Sequence, residues 1–361
     1  MTITPAVHIP LISYLTADGQ LADSSPKCAQ DFDQLKHYYK NIQLSRLFDK
    51  KMIALQRTGN IGTYPSCLGQ EAIGCVIGSL LQAEDVFVPY YRDTATQLLR
   101  GVQMEEIIAY WGGDERGNHF QNNPQDLPWC VPIATQLTHA AGIATAFKIR
   151  KQDHIALVTC GDGATSRGDF YEALNVAGVW NLPLVVVINN NQWAISTPRR
   201  MQSATTTLAQ KALAAGISGI RVDGNDIIAL HEVLTTAIDQ ARAHKGATLI
   251  EAVTYRLGDH TTADDASRYR EKAEVEKAWQ EEPLRRLNHY LRKFQAWDDE
   301  QEKNWQQACE EKIQTAVNNY LAMPPQAAED FFDYLYAELP AELIAQKQAF
   351  CLKAADQLTK N

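Results

Sequence analysis

The sequence predicts an α/β fold built on a doubly wound, mainly parallel sheet. Two observations carry that expectation. Apolar runs such as Leu184-Val185-Val186-Val187-Ile188 show no alternation, as strands buried on both faces require, and segments of helical period separate them. A chain of 361 residues, 45% of them apolar, is long enough to bury the core such a sheet needs.

In chain order, residues to about Gln30 are rich in Pro, Ser, Asp and Gly and read as an arm on the surface. From Asp31 to Gln56, Leu35, Tyr38, Tyr39, Ile42, Leu47 and Ile53 recur at helical spacing. Val86 to Tyr90 reads as a short buried strand, followed by Tyr91-Arg92-Asp93 and a helix toward Leu99. Glycines, asparagines and prolines break every period from Gly112 to Pro132, and a loop that long inside a compact domain is more often functional than not. Ile155–Thr159, Asp169–Trp180 and Leu184–Ile188 then give strand, helix, strand. A strand at Gly219–Asp223, a helix from Ile227 to Ala243 and a strand at Thr248–Val253 repeat the pattern. Beyond Tyr269 the composition turns to Glu, Lys, Arg, Gln and Trp at helical spacing up to Met323, with a break at Pro324-Pro325 and a last helix after Pro340. The expected division is an arm over residues 1–34, an α/β domain over 35–275 and a helical region over 276–361.

The balance of 34 basic against 43 acidic residues gives a net charge of −9, which disfavours nucleic acid or an anionic membrane as a general partner. No apolar run reaches membrane-spanning length, and Met1 to Gly19 has no basic residue ahead of its apolar positions, so a cytoplasmic protein is expected. The seven cysteines are scattered without a Cys-x-x-Cys pair and read as reduced packing residues, Cys160 included.

Two strand ends carry the chemistry. Gly161-Asp162-Gly163 follows the first strand of the central unit and Asn189-Asn190-Asn191 follows the second, so both project from the carboxyl edge, where open α/β sheets bind ligands. Asp162 offers a carboxylate and Asn191 an amide oxygen, the hard donors that Mg²⁺ prefers. The glycines permit close backbone approach to a diphosphate, and the following helix turns its amino end to it. A dinucleotide site is the rival, but its third glycine is here Ser166 and its acidic residue is replaced by asparagines.

Gly161-Asp162-Gly163, with Asn191 standing 29 residues beyond Asp162, resembles the bipartite motif of thiamine-diphosphate-binding proteins. Gly168-Asp169-Phe170-Tyr171-Glu172, Trp193-Ala194-Ile195-Ser196-Thr197, Arg221-Val222-Asp223-Gly224-Asn225-Asp226 and Tyr255-Arg256-Leu257-Gly258-Asp259-His260 are similar, in that order, to alpha subunits of heterotetrameric 2-oxo acid dehydrogenases. The likeness runs from about Leu35 to Trp279. It implies the thiamine-diphosphate-binding fold and the oxidative decarboxylation of a 2-oxo acid, with the acyl group passed to a lipoyl-bearing acyltransferase core. It implies Mg²⁺ held by Asp162, Asn191 and the backbone oxygen of Trp193, with Gly163 and Ala164 as backbone donors to the diphosphate. Tyr91 and Arg92 resemble a phosphate-binding pair, Ile133 the buried apolar wedge that bends the cofactor, and His260 an active-site histidine in a flexible loop ordered by Arg256 and Asp264. A beta subunit in an α₂β₂ assembly is implied as the source of a catalytic glutamate.

Some positions depart from the family. No histidine precedes Gly69-Gln70-Glu71-Ala72, Asn189 stands where some relatives have a phosphate-binding arginine, and Thr261 replaces a serine phosphorylated in some relatives. Cys130-Val131 stands where branched-chain relatives have serines, which argues against a potassium site there. The segment Ala209–Ile217 is similar to bacterial pyruvate dehydrogenases and favours pyruvate; a branched-chain 2-oxo acid is the alternative. An NAD-dependent dehydrogenase and a noncatalytic scaffold are the readings from other classes.

Overall fold

The computed structural model describes residues 7–333 and 335–358, so residues 1–6 of the expected arm lie outside the described residues. It holds a six-stranded, all-parallel sheet. The strands are β1 (Leu11–Ile12), β2 (Val86–Val88), β3 (Ala156–Gly161) and β4 (Leu184–Asn190), followed after a small hairpin, β5 (Trp193–Ala194) with β6 (Thr197–Pro198), by β7 (Ser218–Asp223) and β8 (Thr248–Val253). Their order across the sheet is β1-β7-β8-β4-β3-β2. The chain therefore sets its first two strands at opposite edges, runs inward from β2 through β3 to β4, and crosses to β7 before β8 fills the middle, the α/β fold that the unalternated runs predict.

Those runs have a visible cause. Val185 and Val187 of β4 enter one core cluster, whereas Leu184, Val186 and Ile188 enter the other, so every side chain of the strand is buried. The first cluster is covered by α1 (Phe32–Arg57) and α2 (Glu71–Leu80). After α3 (Thr94–Leu99) and α4 (Met104–Trp111), α5 (Thr135–Arg150) and α6 (Gly168–Val179) cover the second. A single turn, α7 (Arg199–Gln202), and the short α8 (Lys211–Ala215) lead to β7, and α9 (Ile227–Arg242) returns to the first face. Helix α8 stops at Gly216, whose φ of 67° is the left-handed cap that glycine adopts without strain.

The chain divides into two compact units, the first ending at Val317. Besides the sheet, that unit contains α10 (Lys272–Glu281), α11 (Pro283–Lys293) and most of α12 (Asp299–Leu321). The second unit begins at Asn318 and holds the end of α12, α13 (Asp330–Asp333) and α14 (Ala341–Leu358), with Phe331 and Phe350 in ring contact at 5.3 Å. No helix among the described residues is long and apolar enough to cross a membrane.

The arm is more tightly bound than its composition suggests. Residues Leu11–Ile12 pair with β7, and Leu15 is fully buried. Asp226, buried at the start of α9, accepts from Tyr14 N at 2.6 Å and Leu15 N at 2.7 Å while capping α9 through Ile228 N at 3.0 Å and Ala229 N at 3.1 Å. One carboxylate thus satisfies four backbone donors from two distant segments. Asp226→Ala should cost about 2 kcal/mol or more and open the arm. Urea unfolding and limited proteolysis check this: an unchanged midpoint with no new cleavage before Gln30 would contradict it.

Candidate functional site

The ends of β3 and β4 stand side by side because the two strands are in register, Gly161 opposite Asn189. Asp162 opens a turn of 3-10 helix immediately after β3, and Asn191 follows β4 directly. The ends of β2 and β8 flank them, bringing Tyr91-Arg92 from one side and the segment to His260 from the other. Tyr91, Arg92, Ile133, Asp162, Gly163, Ala164, Asn191, Trp193 and His260 all line one cleft of about 200 Å³. Residues separated by up to 169 positions are brought together at the carboxyl edge of the sheet.

Asp162 is buried, and burial pushes its carboxyl up to about 6. Its side chain accepts from Gln202 Nε2 at 3.2 Å, and among the described residues it has no salt bridge. A buried carboxylate without a cation beside it is short of positive charge. Asn191 Oδ1 accepts from Trp193 N at 3.2 Å, and Asn191 Nδ2 donates to Gln70 Oε1 at 3.0 Å. Among the described residues no three His, Cys, Asp or Glu side chains gather as a metal centre. The donors here are instead one carboxylate, one amide oxygen and the carbonyl of Trp193, a hard-oxygen set that fits Mg²⁺ with its retained waters.

Positive charge is concentrated around these oxygens. Arg92, 4% exposed, donates to Ser66 O at 2.6 Å, to His260 O at 2.7 Å and to His260 Nδ1 at 3.0 Å. Arg256, fully buried, donates to Trp193 O at 3.2 Å, Ile195 O at 2.8 Å and Tyr269 Oη at 2.8 Å. Burial, and then the nearby Arg92, lower the Arg256 pKa to about 10. Arg92 lines the cleft and among the described residues has no carboxylate directly on it, which fits an anion with several oxygens, such as a diphosphate; Arg256 adds its charge from behind the wall formed by Trp193 and Ile195.

Because a guanidinium only donates, His260 Nδ1 must accept, and the imidazole proton is on Nε2. Burial first, then Arg92 and Arg256, lower its pKa to about 4, against a smaller opposing pull from Asp264. The loop carrying it is pinned. His260 N donates to Asp264 Oδ2 at 2.9 Å, Tyr269 Oη donates to the same oxygen, and Ala266 N donates to Asp259 Oδ1 at 3.0 Å. Loop polarity here therefore reflects internal hydrogen bonds, and the expected ordering by Arg256 and Asp264 is present without further rearrangement.

Three details differ from the sequence reading. Ile133 is 44% exposed at the mouth, where no described element covers the loop before α5, and so is not a buried wedge in the isolated chain. A Cβ at Gly163 would meet Ala194 Cβ at 2.7 Å, so glycine is required there first by the β5–β6 hairpin, itself held by positive φ angles at Gln192 and Ile195. Gln70, Tyr90 and Gln202 belong to the site and were not found, because no motif spacing announces a glutamine that contacts a residue 121 positions away. Cys160 is fully buried and its thiol is pushed well up by burial, an inert packing residue as expected.

A parallel α/β sheet with an oxygen-donor set and Arg92 in one cleft at its carboxyl edge is the arrangement of α/β proteins that bind a ligand at the ends of their strands. The sequence matches the family described as "Dehydrogenase E1 component" over residues 39–329, and the chain belongs to that family. This family depends on thiamine diphosphate. The chain is 39% identical over 350 residues to the pyruvate dehydrogenase E1 component subunit alpha of Mycoplasma genitalium, covering 96% of this chain and 98% of the relative. It is 36% identical to the Bacillus subtilis protein of the same name, covering 94% and 92%. It is also 37% identical to the 3-methyl-2-oxobutanoate dehydrogenase subunit alpha of Mycobacterium tuberculosis, covering 88% and 86%.

The histidine geometry sets a pH dependence. Between the ordinary value of 6.5 and about 4, the unfolded chain binds a proton at His260 that the folded chain does not, so this group's contribution to stability falls as pH falls through that window. In an NMR titration of selectively labelled histidine, His260 should stay neutral at pH 6; half-protonation near pH 6.5 would contradict the assignment.

Proposed function

We propose that this chain is the alpha subunit of a cytoplasmic pyruvate dehydrogenase E1 component, pairing with a beta subunit as α₂β₂. The assembly decarboxylates pyruvate oxidatively and passes the acetyl group to the lipoyl-bearing acyltransferase core. The observation that carries the reading is the convergence of Asp162, Asn191 and Trp193 with Arg92 and His260 around one cleft, with the buried Arg256 on Trp193 O, in a chain of this family. Pyruvate is preferred over a branched-chain 2-oxo acid because the likeness to the Mycoplasma relative extends over 96% of the chain, against 88% for the branched-chain relative.

In this reading Asp162, the Asn191 side-chain oxygen and the Trp193 carbonyl hold Mg²⁺. The backbone N–H groups of Gly163 and Ala164 and the side chains of Tyr91 and Arg92 take the diphosphate oxygens. Thiamine diphosphate, when bound, supplies the electron sink that makes loss of carbon dioxide from a 2-oxo acid feasible. Arg256 anchors the turn that presents Trp193 O. His260, neutral with its proton on Nε2, can donate that proton to a phosphate oxygen or to the reacting substrate. Ile133 supplies an apolar prop for the cofactor. Residues 35–275 form the cofactor-binding part, between the arm and the helical region from 276 onward.

Two features support the beta subunit. No glutamate is among the described residues lining the cleft, so the acid that activates the cofactor comes from elsewhere. Val131, Ile133 and Ile195 leave an apolar rim 49%, 44% and 56% exposed, which a partner would cover.

The chain co-expressed with its beta subunit should decarboxylate pyruvate in a dye-linked assay with kcat/KM at least about tenfold above that for 2-oxoisovalerate. The opposite preference would move the chain to the branched-chain group. Asp162→Ala should abolish Mg²⁺-dependent cofactor retention in titration calorimetry, and unchanged retention would refute its role. His260→Ala should slow lipoyl acylation by about 10²-fold or more while cofactor affinity changes far less. Equal losses in both would reduce His260 to a binding residue.

A further inference from the structure

We infer that Gln70 is a positioning residue for the divalent-cation site, fixing the Asn191 amide with Nδ2 turned away and Oδ1 left for the metal. This rests on the reading of Asn191 as a metal ligand. The orientation follows from a backbone group that cannot flip. Trp193 N–H can only donate, so the Asn191 atom 3.2 Å from it must be oxygen. Asn191 Nδ2 then needs an acceptor at its other side, and Gln70 Oε1 is there at 3.0 Å. The same oxygen accepts from Tyr90 Oη at 3.0 Å, which uses both of its lone pairs.

The arrangement carries a cost that its purpose explains. Gln70 is 4% exposed and its Nε2 is buried without a partner. Reversing the Gln70 amide would set donor against donor at Asn191 and is therefore blocked. A buried group left unmatched in this way marks a side chain retained for what its other end does.

The backbone beneath Gln70 is fixed from two directions. Gly69 has a φ of 91°, and a Cβ there would sit 2.4 Å from Tyr255 O. Its carbonyl accepts from Thr254 Oγ1 at 2.7 Å, which ties the turn to the end of β8. Its N–H donates to Glu71 Oε2 at 2.9 Å, and Glu71 is paired with Arg46 of α1 at 2.8 Å. Gln70 thus reaches from a rigid turn to the ends of both β2 and β4. With that acceptor removed, Trp193 N–H alone sets the Asn191 amide, its buried Nδ2 loses its acceptor, and affinity falls.

The test uses the assembly with its beta subunit, saturated with thiamine diphosphate and titrated with Mn²⁺ by electron paramagnetic resonance. Gln70→Met keeps the volume without the acceptor and should weaken Mn²⁺ binding about 10- to 100-fold, and Gln70→Ala serves if Gln70→Met does not fold. Gln70→Glu keeps an oxygen for both donors and should stay within about threefold of the wild type. Thermal melts of each variant confirm folding. Wild-type affinity in Gln70→Met, with binding lost in Asn191→Ala, would overturn the positioning role alone. Losses in Gln70→Glu equal to those in Gln70→Met would overturn it too, since packing and not the acceptor would then matter. Wild-type Mn²⁺ affinity in Asn191→Ala would remove the ligand reading beneath it.

Discussion

The register between β3 and β4 is the constraint on which the site depends. With Gly161 opposite Asn189, β3 ends one residue before β4 does, and the next residues, Asp162 on one and Asn191 on the other, leave the sheet at the same edge. A slip of one residue would turn every side chain of β4 to the opposite face, moving Val186 and Ile188 from one core cluster into the other. Packing on both faces therefore specifies the register, and the register specifies which oxygens meet. The hydrophobic core and the chemistry are joined at this point.

Electrostatics completes the design. The chain carries a net charge of −9, yet Arg92 lines the cleft with the buried Asp162 carboxylate, and the buried Arg256 holds Trp193 O and Ile195 O at its wall. Separately, each charge is poorly satisfied: the Asp162 carboxyl is raised to about 6 by burial, and the Arg256 guanidinium is lowered to about 10. In the proposed reading a divalent cation meets the carboxylate and a diphosphate meets the Arg92 guanidinium. That complementarity is prepared in the folded chain by backbone carbonyls of Ser66, Trp193 and Ile195, which hold the arginines in place.

Much of this was legible in the sequence where the signal is local. The unalternated runs at Leu184–Ile188 and Thr248–Val253 are strands, and the helix expected at Asp169–Trp180 is observed at Gly168–Val179, because burial on both faces and helical period leave direct marks on composition. Strand β1 left none. Two residues within a polar arm become a strand only through β7, more than 200 positions away, and through Asp226. Gln70 was hidden for the same reason: its role consists of contacts to Tyr90 and Asn191 that no spacing rule connects. The polarity of Asp259–Arg270 was visible but misleading, since those side chains bond one another and hold the loop still.

The most direct test of the central claim is to locate the cation. A crystal of the α/β assembly grown with thiamine diphosphate and Mn²⁺, measured at the manganese absorption edge, should show one anomalous peak at about 2.1–2.2 Å from an Asp162 carboxylate oxygen and from Asn191 Oδ1. A peak bound to neither side chain, or cofactor seated with those two residues pointing apart, would contradict it.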